Sequence, residues 1–123
     1  MNATDVKIFV PAKDFELSLS FYKAMGWQMN WVSDDGLAEL ELADCRFYLQ
    51  NHYNKAWANN FMIYVVVDDA QAWYDHALAV IATGEYGELR IRPPKEEPFG
   101  ALVAHLIDPS GVLLHLAQPI AAD

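Results

Sequence analysis

The sequence predicts an α+β fold of two βαβββ modules, whose strands form a curved mixed sheet with the helices on its outer face. Three observations carry this expectation. Apolar runs rich in β-branched and aromatic residues alternate with turn-forming clusters. Two longer segments carry apolar residues at helical spacing. The second half also repeats the first, since Ile8, Val10 and Asp14 fall on Ile63, Val65 and Asp69 at one constant offset.

In chain order, Lys7–Pro11 is expected as a short strand, ended by a proline that cannot donate to a ladder. A helix follows: Asp14 is a good N-cap, Phe15, Leu19, Tyr22 and Met25 share a stripe, and Gly26 supplies a left-handed end. Trp27–Val32, Leu37–Leu42 and Arg46–Gln50 read as strands, separated by Ser33-Asp34-Asp35-Gly36 and Ala43-Asp44-Cys45. Phe61–Val67 is the strongest strand signal. Asp68-Asp69 then cap a second helix with Ala70, Trp73, Ala77 and Ile81 on one stripe and Gly84 at its end. Three further strands are expected at Tyr86–Arg92, Leu102–Ile107 and Val112–Ala117. Between them, Pro93–Pro98 reads as a stiff extended loop and Asp108-Pro109-Ser110-Gly111 as a turn.

Composition points to one domain over 1–123, with modules at about 5–52 and 60–118. Of 123 residues, 54% are hydrophobic and 20% charged, which excludes a disordered chain. No apolar run approaches the ~18 residues of a membrane-spanning helix. Seventeen acidic residues against eight basic give a net charge of -9, the wrong sign for a nucleic-acid or anionic-membrane partner. A neutral or cationic small molecule suits that field. The single Cys45 precludes an intrachain disulfide or a cysteine-based zinc site and suits a reducing cytoplasm. Met1–Asp5 lacks the basic and apolar regions of a signal peptide. No Gly-x-Ser-x-Gly and no glycine-rich phosphate loop is present, so simple nucleophilic and phosphate-binding templates find no support.

Strand alternation selects the candidate site residues. With the leucines of each strand packed under the helices, Lys7, Phe9, Glu39, Glu41, Tyr48, Gln50, Met62, Tyr64 and His115 line the open face. Such a set offers stacking surfaces and counter-charge to a planar aromatic or cationic ligand. Glu39 and Glu41 read either as solvated carboxylates or as a paired negative site whose mutual repulsion raises one pKa. His105 and His115 flank the Asp-Pro-Ser-Gly turn. A three-residue loop with Gly111 left-handed makes them face each other, whereas a two-residue loop puts them on opposite faces. Trp27 and Trp31, four residues apart, are expected on the same side of one strand. Trp27 is expected in the core, Trp31 and Trp57 exposed in a cleft or interface, and His76 at the surface.

These residues carry a resemblance. Val10-Pro11-Ala12-Lys13-Asp14, Ser18–Tyr22 with Gly26, Val67-Asp68-Asp69, Glu97-Pro98-Phe99-Gly100 and Asp108-Pro109-Ser110-Gly111 together resemble the vicinal oxygen chelate superfamily of glyoxalases, bleomycin-resistance proteins and dioxygenases. The resemblance runs from about Lys7 to Gln118 and implies the glyoxalase/bleomycin-resistance fold. In the enzyme branches four inward side chains hold a divalent metal. By register those positions are Lys7, Tyr48, Met62 and His115 here, and only His115 is a good ligand for such an ion.

The metal-free bleomycin-resistance branch is the better match. It implies a cytoplasmic homodimer that uses no cofactor and sequesters a cationic or aromatic drug in clefts shared between subunits. The implied ligand-binding set adds Trp31, Trp57 and His105 to Phe9, Glu39, Glu41, Tyr48, Gln50, Met62, Tyr64 and His115. The alternative is a lyase, isomerase or dioxygenase of the same fold with a displaced metal site at His105, His115 and a glutamate. A third reading is an accessory domain that binds another protein.

Overall fold

The computed structural model describes residues 1–120. Strand β1 (Phe9–Pro11), helix α1 (Phe15–Ala24), and strands β2 (Gln28–Val32), β3 (Leu37–Leu42) and β4 (Cys45–Gln50) form the first module. A short helix α2 (Lys55–Asn59) leads to the second: β5 (Met62–Val66), α3 (Ala70–Ala82), β6 (Ile91–Glu97), β7 (Ala101–Ile107) and β8 (Leu113–Pro119). Each module makes a four-stranded mixed sheet. The orders are β1-β4-β3-β2 and β5-β8-β7-β6, which is the same topology twice. The α+β class and the duplicated βαβββ plan are therefore as the sequence predicts. The curved sheet comes as two sheets, with no strand of one paired to a strand of the other among the described residues.

The duplication is carried through to register. Phe9 pairs with Tyr48 across the parallel β1–β4 contact, and its counterpart Tyr64 pairs with His115 across β5–β8. Both long helices start on an aspartate cap: Asp14 accepts from the Leu17 N–H and Asp69 from the Ala72 N–H. The unanticipated α2 is capped the same way, Asn54 accepting from the Ala56 and Trp57 N–H groups, so Trp57 lies on a helical turn.

Two outer strands depart from a simple reading. Pro93 and Pro94 sit within β6, where a loop was expected, while Tyr86 lies ahead of the strand, buried in the core. The prolines are tolerated because β6 is an edge strand and its register shifts between Arg92 and Lys95, so their missing N–H groups break no continuous ladder. In β2 a similar irregularity falls between Met29 and Trp31. It places Trp27 and Trp31 on different faces, contrary to the four-residue spacing. Trp27 is 8% exposed with its ring 4.8 Å from Phe47 in the core, and Trp31 is 41% exposed with its ring 5.5 Å from Tyr48.

The modules join through their helix-bearing sides. Helix α1 buries Phe15, Ser18, Leu19, Phe21 and Tyr22, covering its own sheet and meeting the second module as well. The Phe21 ring stands edge-on to Tyr86 at 5.5 Å, the Ser20 and Tyr86 hydroxyls share a 2.8 Å hydrogen bond, and His76 Nε2 lies 2.7 Å from the Ala24 carbonyl. One continuous core results, with Val10, Leu40, Phe47 and Leu49 from the first sheet and Leu106 and Leu114 from the second. The opposite face of each sheet points out, away from that core.

Asp108 fastens the junction. Its buried carboxylate accepts from the Tyr22 hydroxyl at 2.6 Å and from the N–H groups of Ser110 and Val112 at 2.8 and 2.9 Å. Ser110 Oγ in turn bonds Ser18 Oγ and accepts from the Lys13 N–H. Burial pushes the Asp108 carboxyl above the ordinary carboxylate range, against the pull of these donors. Removing the phenol leaves a buried oxygen short of its donor. Tyr22→Phe is therefore expected to cost about 1–3 kcal/mol of stability, read as a lower urea midpoint at unchanged m-value; an unaltered midpoint would contradict the role given to this bond.

Candidate functional site

Each outward face carries a cross-strand row. On the first sheet the row is Phe9, Tyr48, Glu39 and Trp31, one residue from each of β1, β4, β3 and β2. On the second it is Tyr64, His115, His105 and Arg92, from β5, β8, β7 and β6. The rows occupy equivalent places in the duplication. Residues in register share a sheet face, so each row is a continuous strip of side chains.

The first strip is aromatic and internally charge-compensated. Phe9 stands edge-on to Tyr48 at 5.3 Å, and Trp31 leans on the other side of Tyr48. Lys7 Nζ lies 5.7 Å from the Tyr48 ring centre, 3.7 Å from Glu39 and 2.8 Å from Asp5. Glu41 accepts from Arg46 Nε at 3.0 Å, and the Asn30 amide donates to both Glu39 and Glu41. The hydrogen bond from Arg46 therefore lowers the Glu41 pKa, the reverse of the shift expected from two repelling carboxylates. Asn30 sits at the β2 irregularity, which is why alternation alone did not find it.

The second strip is a pocket of about 400 Å³ lined by Tyr64, Arg92, Glu97, Phe99, Val103, His105 and His115. Asp108 and Val112 close the β7–β8 turn around Pro109, Ser110 and Gly111, with Gly111 at φ +95°. That three-residue loop puts His105 directly opposite His115, ring centres 4.7 Å apart and edge to face. Arg92 Nη2 lies 3.3 Å from His105 Nε2 and 3.0 Å from Glu97 Oε1. Arginine can only donate, so His105 Nε2 accepts and its hydrogen sits on Nδ1. Partial burial, then the nearby guanidinium, depresses the pKa of both imidazoles.

Not every expected residue joins a strip. Lys7, just ahead of β1, packs over Tyr48 on one sheet, while Met62 and His115 belong to the other, so a single chain does not gather the four positions into one hollow. Their chemistry does not fit the metal of the enzyme branches either: an ammonium, a phenol and a thioether replace hard anionic or imidazole donors. His105 and His115 fare no better as a displaced centre, because Arg92 occupies one lone pair and repels a cation. Met62 is 62% exposed near the start of β5, and Gln50 ends β4 half-buried. Trp57 is exposed on α2 beside His52, off both strips. Alternation misses Arg92, the last residue of the expected strand Tyr86–Arg92, and Phe99, which lies between the expected elements.

No protein-family model matches the chain. It is similar to a bleomycin resistance protein of Klebsiella pneumoniae, 29% identical over 111 residues, which cover 89% of this chain and 87% of that protein. Among solved structures, a bleomycin-binding protein complexed with bleomycin superposes with a TM-score of 0.77 at 27% identity, covering 94% of this chain and 98% of that one. A bleomycin resistance determinant encoded on transposon Tn5 gives 0.77 at 25% identity, covering 95% and 98%. The chain has the fold of these proteins along nearly its whole length. No helix among the described residues is long and apolar enough to cross a membrane.

The depressed imidazoles tie stability to pH. A folded-state pKa below the unfolded 6.5 means that stability is full above 6.5 and is lost as pH falls through the folded values. Nuclear magnetic resonance titration is expected to give midpoints below 6.5 for His105 and His115, and the His105→Gln/His115→Gln pair to lose less stability than the native chain between pH 7.5 and 5. Midpoints at or above 6.5 would contradict the geometry.

Proposed function

We propose that the chain sequesters a cationic or aromatic small molecule without changing it covalently. It acts as one cytoplasmic domain in a homodimer, each cleft formed by the first strip of one protomer and the second strip of its partner. The observation that carries this reading is the pair of equivalent cross-strand strips, one aromatic and one mixing aromatic and polar side chains, both pointing out of the molecule. Phe9, Trp31, Met62, Tyr64, Val66 and Phe99 are all exposed on or beside them. Apolar surface of that extent on so small a chain calls for a cover.

The named activity of the similar proteins makes bleomycin the first probe. Affinity is assigned to stacking on Phe9, Trp31, Tyr48 and Tyr64 more than to free carboxylates, because Glu39 and Glu41 are already paired. The surplus of acidic residues acts at longer range, drawing a cationic ligand toward the protein.

Titration with bleomycin is expected to quench tryptophan fluorescence at one ligand per cleft. Trp31→Ala is expected to weaken binding by about tenfold, the worth of roughly one aromatic contact. Absence of quenching would sink the binding role. Sedimentation at micromolar concentration is expected to give a dimer, and a species that stays monomeric would remove the shared cleft.

A further inference from the structure

The second strip has a polar end built around Arg92. Arg92 carries only donors, and both of its hydrogen bonds among the described residues run through Nη2, to Glu97 and His105. Among the described residues its buried Nε has no partner and Nη1 makes no hydrogen bond. His105 spends its acceptor nitrogen on Arg92, which leaves Nδ1–H as a second donor. The one carboxylate in the pocket, Glu97, is half-buried and already paired with Arg92. The pocket thus sets the spare donors of Arg92 and His105 beside the carboxylate of Glu97, and its net charge is close to zero. The remaining lining is flat or apolar: Tyr64 and His115 lie 5.8 Å apart with planes tilted by 35°, Val103 is the buried floor, and Phe99, 68% exposed, stands at the rim.

We propose that this pocket is a subsite for a flat aromatic group bearing an uncharged carbonyl oxygen, an aryl carboxamide being the simplest case, with Arg92 as the residue that selects it. The oxygen accepts from the free Arg92 Nη1–H, and the ring lies over Tyr64 and His115. A carboxylate is disfavoured, because Glu97 already neutralises the guanidinium and a second anion would face it. An ammonium is disfavoured by Arg92 itself. The inference rests on the outward strips being ligand-binding surfaces, but the pocket is complete within one chain and needs no partner.

The test uses the full-length protein and the matched probes quinoline-3-carboxamide, quinoline-3-carboxylate and 3-methylquinoline, followed by chemical shifts of the His105 and His115 ring protons. The carboxamide is expected to bind about tenfold more tightly than the methyl compound, the worth of roughly one charge-assisted hydrogen bond, and more tightly than the carboxylate. Arg92→Leu is expected to erase the difference between carboxamide and methyl compound, and Arg92→Lys to restore part of it. Equal affinity of the three probes for the native protein, or a preference that survives Arg92→Leu, overturns the subsite. Bleomycin is titrated in parallel: quenching by bleomycin without a carboxamide preference overturns the subsite alone, and absence of both overturns the ligand-binding reading as well. The native-protein comparison needs no variant, so a poorly folding Arg92→Leu does not leave the question open.

Discussion

The buried contact between Tyr22 and Asp108 governs how everything else is placed. It joins a helix of the first module to the last hairpin of the second, and the Ser18–Ser110 bond and the Phe21–Tyr86 ring contact extend it along the same junction. Because the modules are fastened by their helix-bearing sides, the faces that carry the aromatic strips must look outward. A chain assembled in this way cannot close its own two walls around one ligand. It presents two outward strips, and the exposed aromatic and aliphatic side chains on them are the physical consequence.

Duplication supplied two equivalent rows, and divergence gave them different chemistry. Phe9 and Tyr64 are both aromatic. Beyond them Tyr48 answers to His115, Glu39 to His105 and Trp31 to Arg92. One row is stacking surface with its charges paired internally. The other is a donor-rich pocket between imidazole and phenol rings.

Both outer strands, β2 and β6, carry a register irregularity. In β2 it moves Trp31 onto the open face and brings Asn30 between two glutamates. In β6 it lets Pro93 and Pro94 occupy an edge strand without breaking a ladder, and it leaves Arg92 opposite His105. Irregularities of this kind re-aim side chains and also blunt an open sheet edge against unwanted pairing.

Local chemistry made much of this molecule legible from sequence. The aspartate caps, the glycines that end helices, the strand runs and the repeat of Ile8, Val10 and Asp14 determined the two βαβββ modules, because each depends only on near neighbours. The Asp-Pro-Ser-Gly turn likewise determined that His105 and His115 could face each other. What alternation could not reach was any residue beyond an irregularity: the face of Trp31, the strand containing the prolines, and the part played by Arg92 and Phe99. Those depend on which strand lies at an edge and what pairs with it. The tertiary structure alone decided that the two open faces diverge, since the direction of a sheet's free face is set by what packs on its other side, and here that is a long-range contact between residues 86 positions apart.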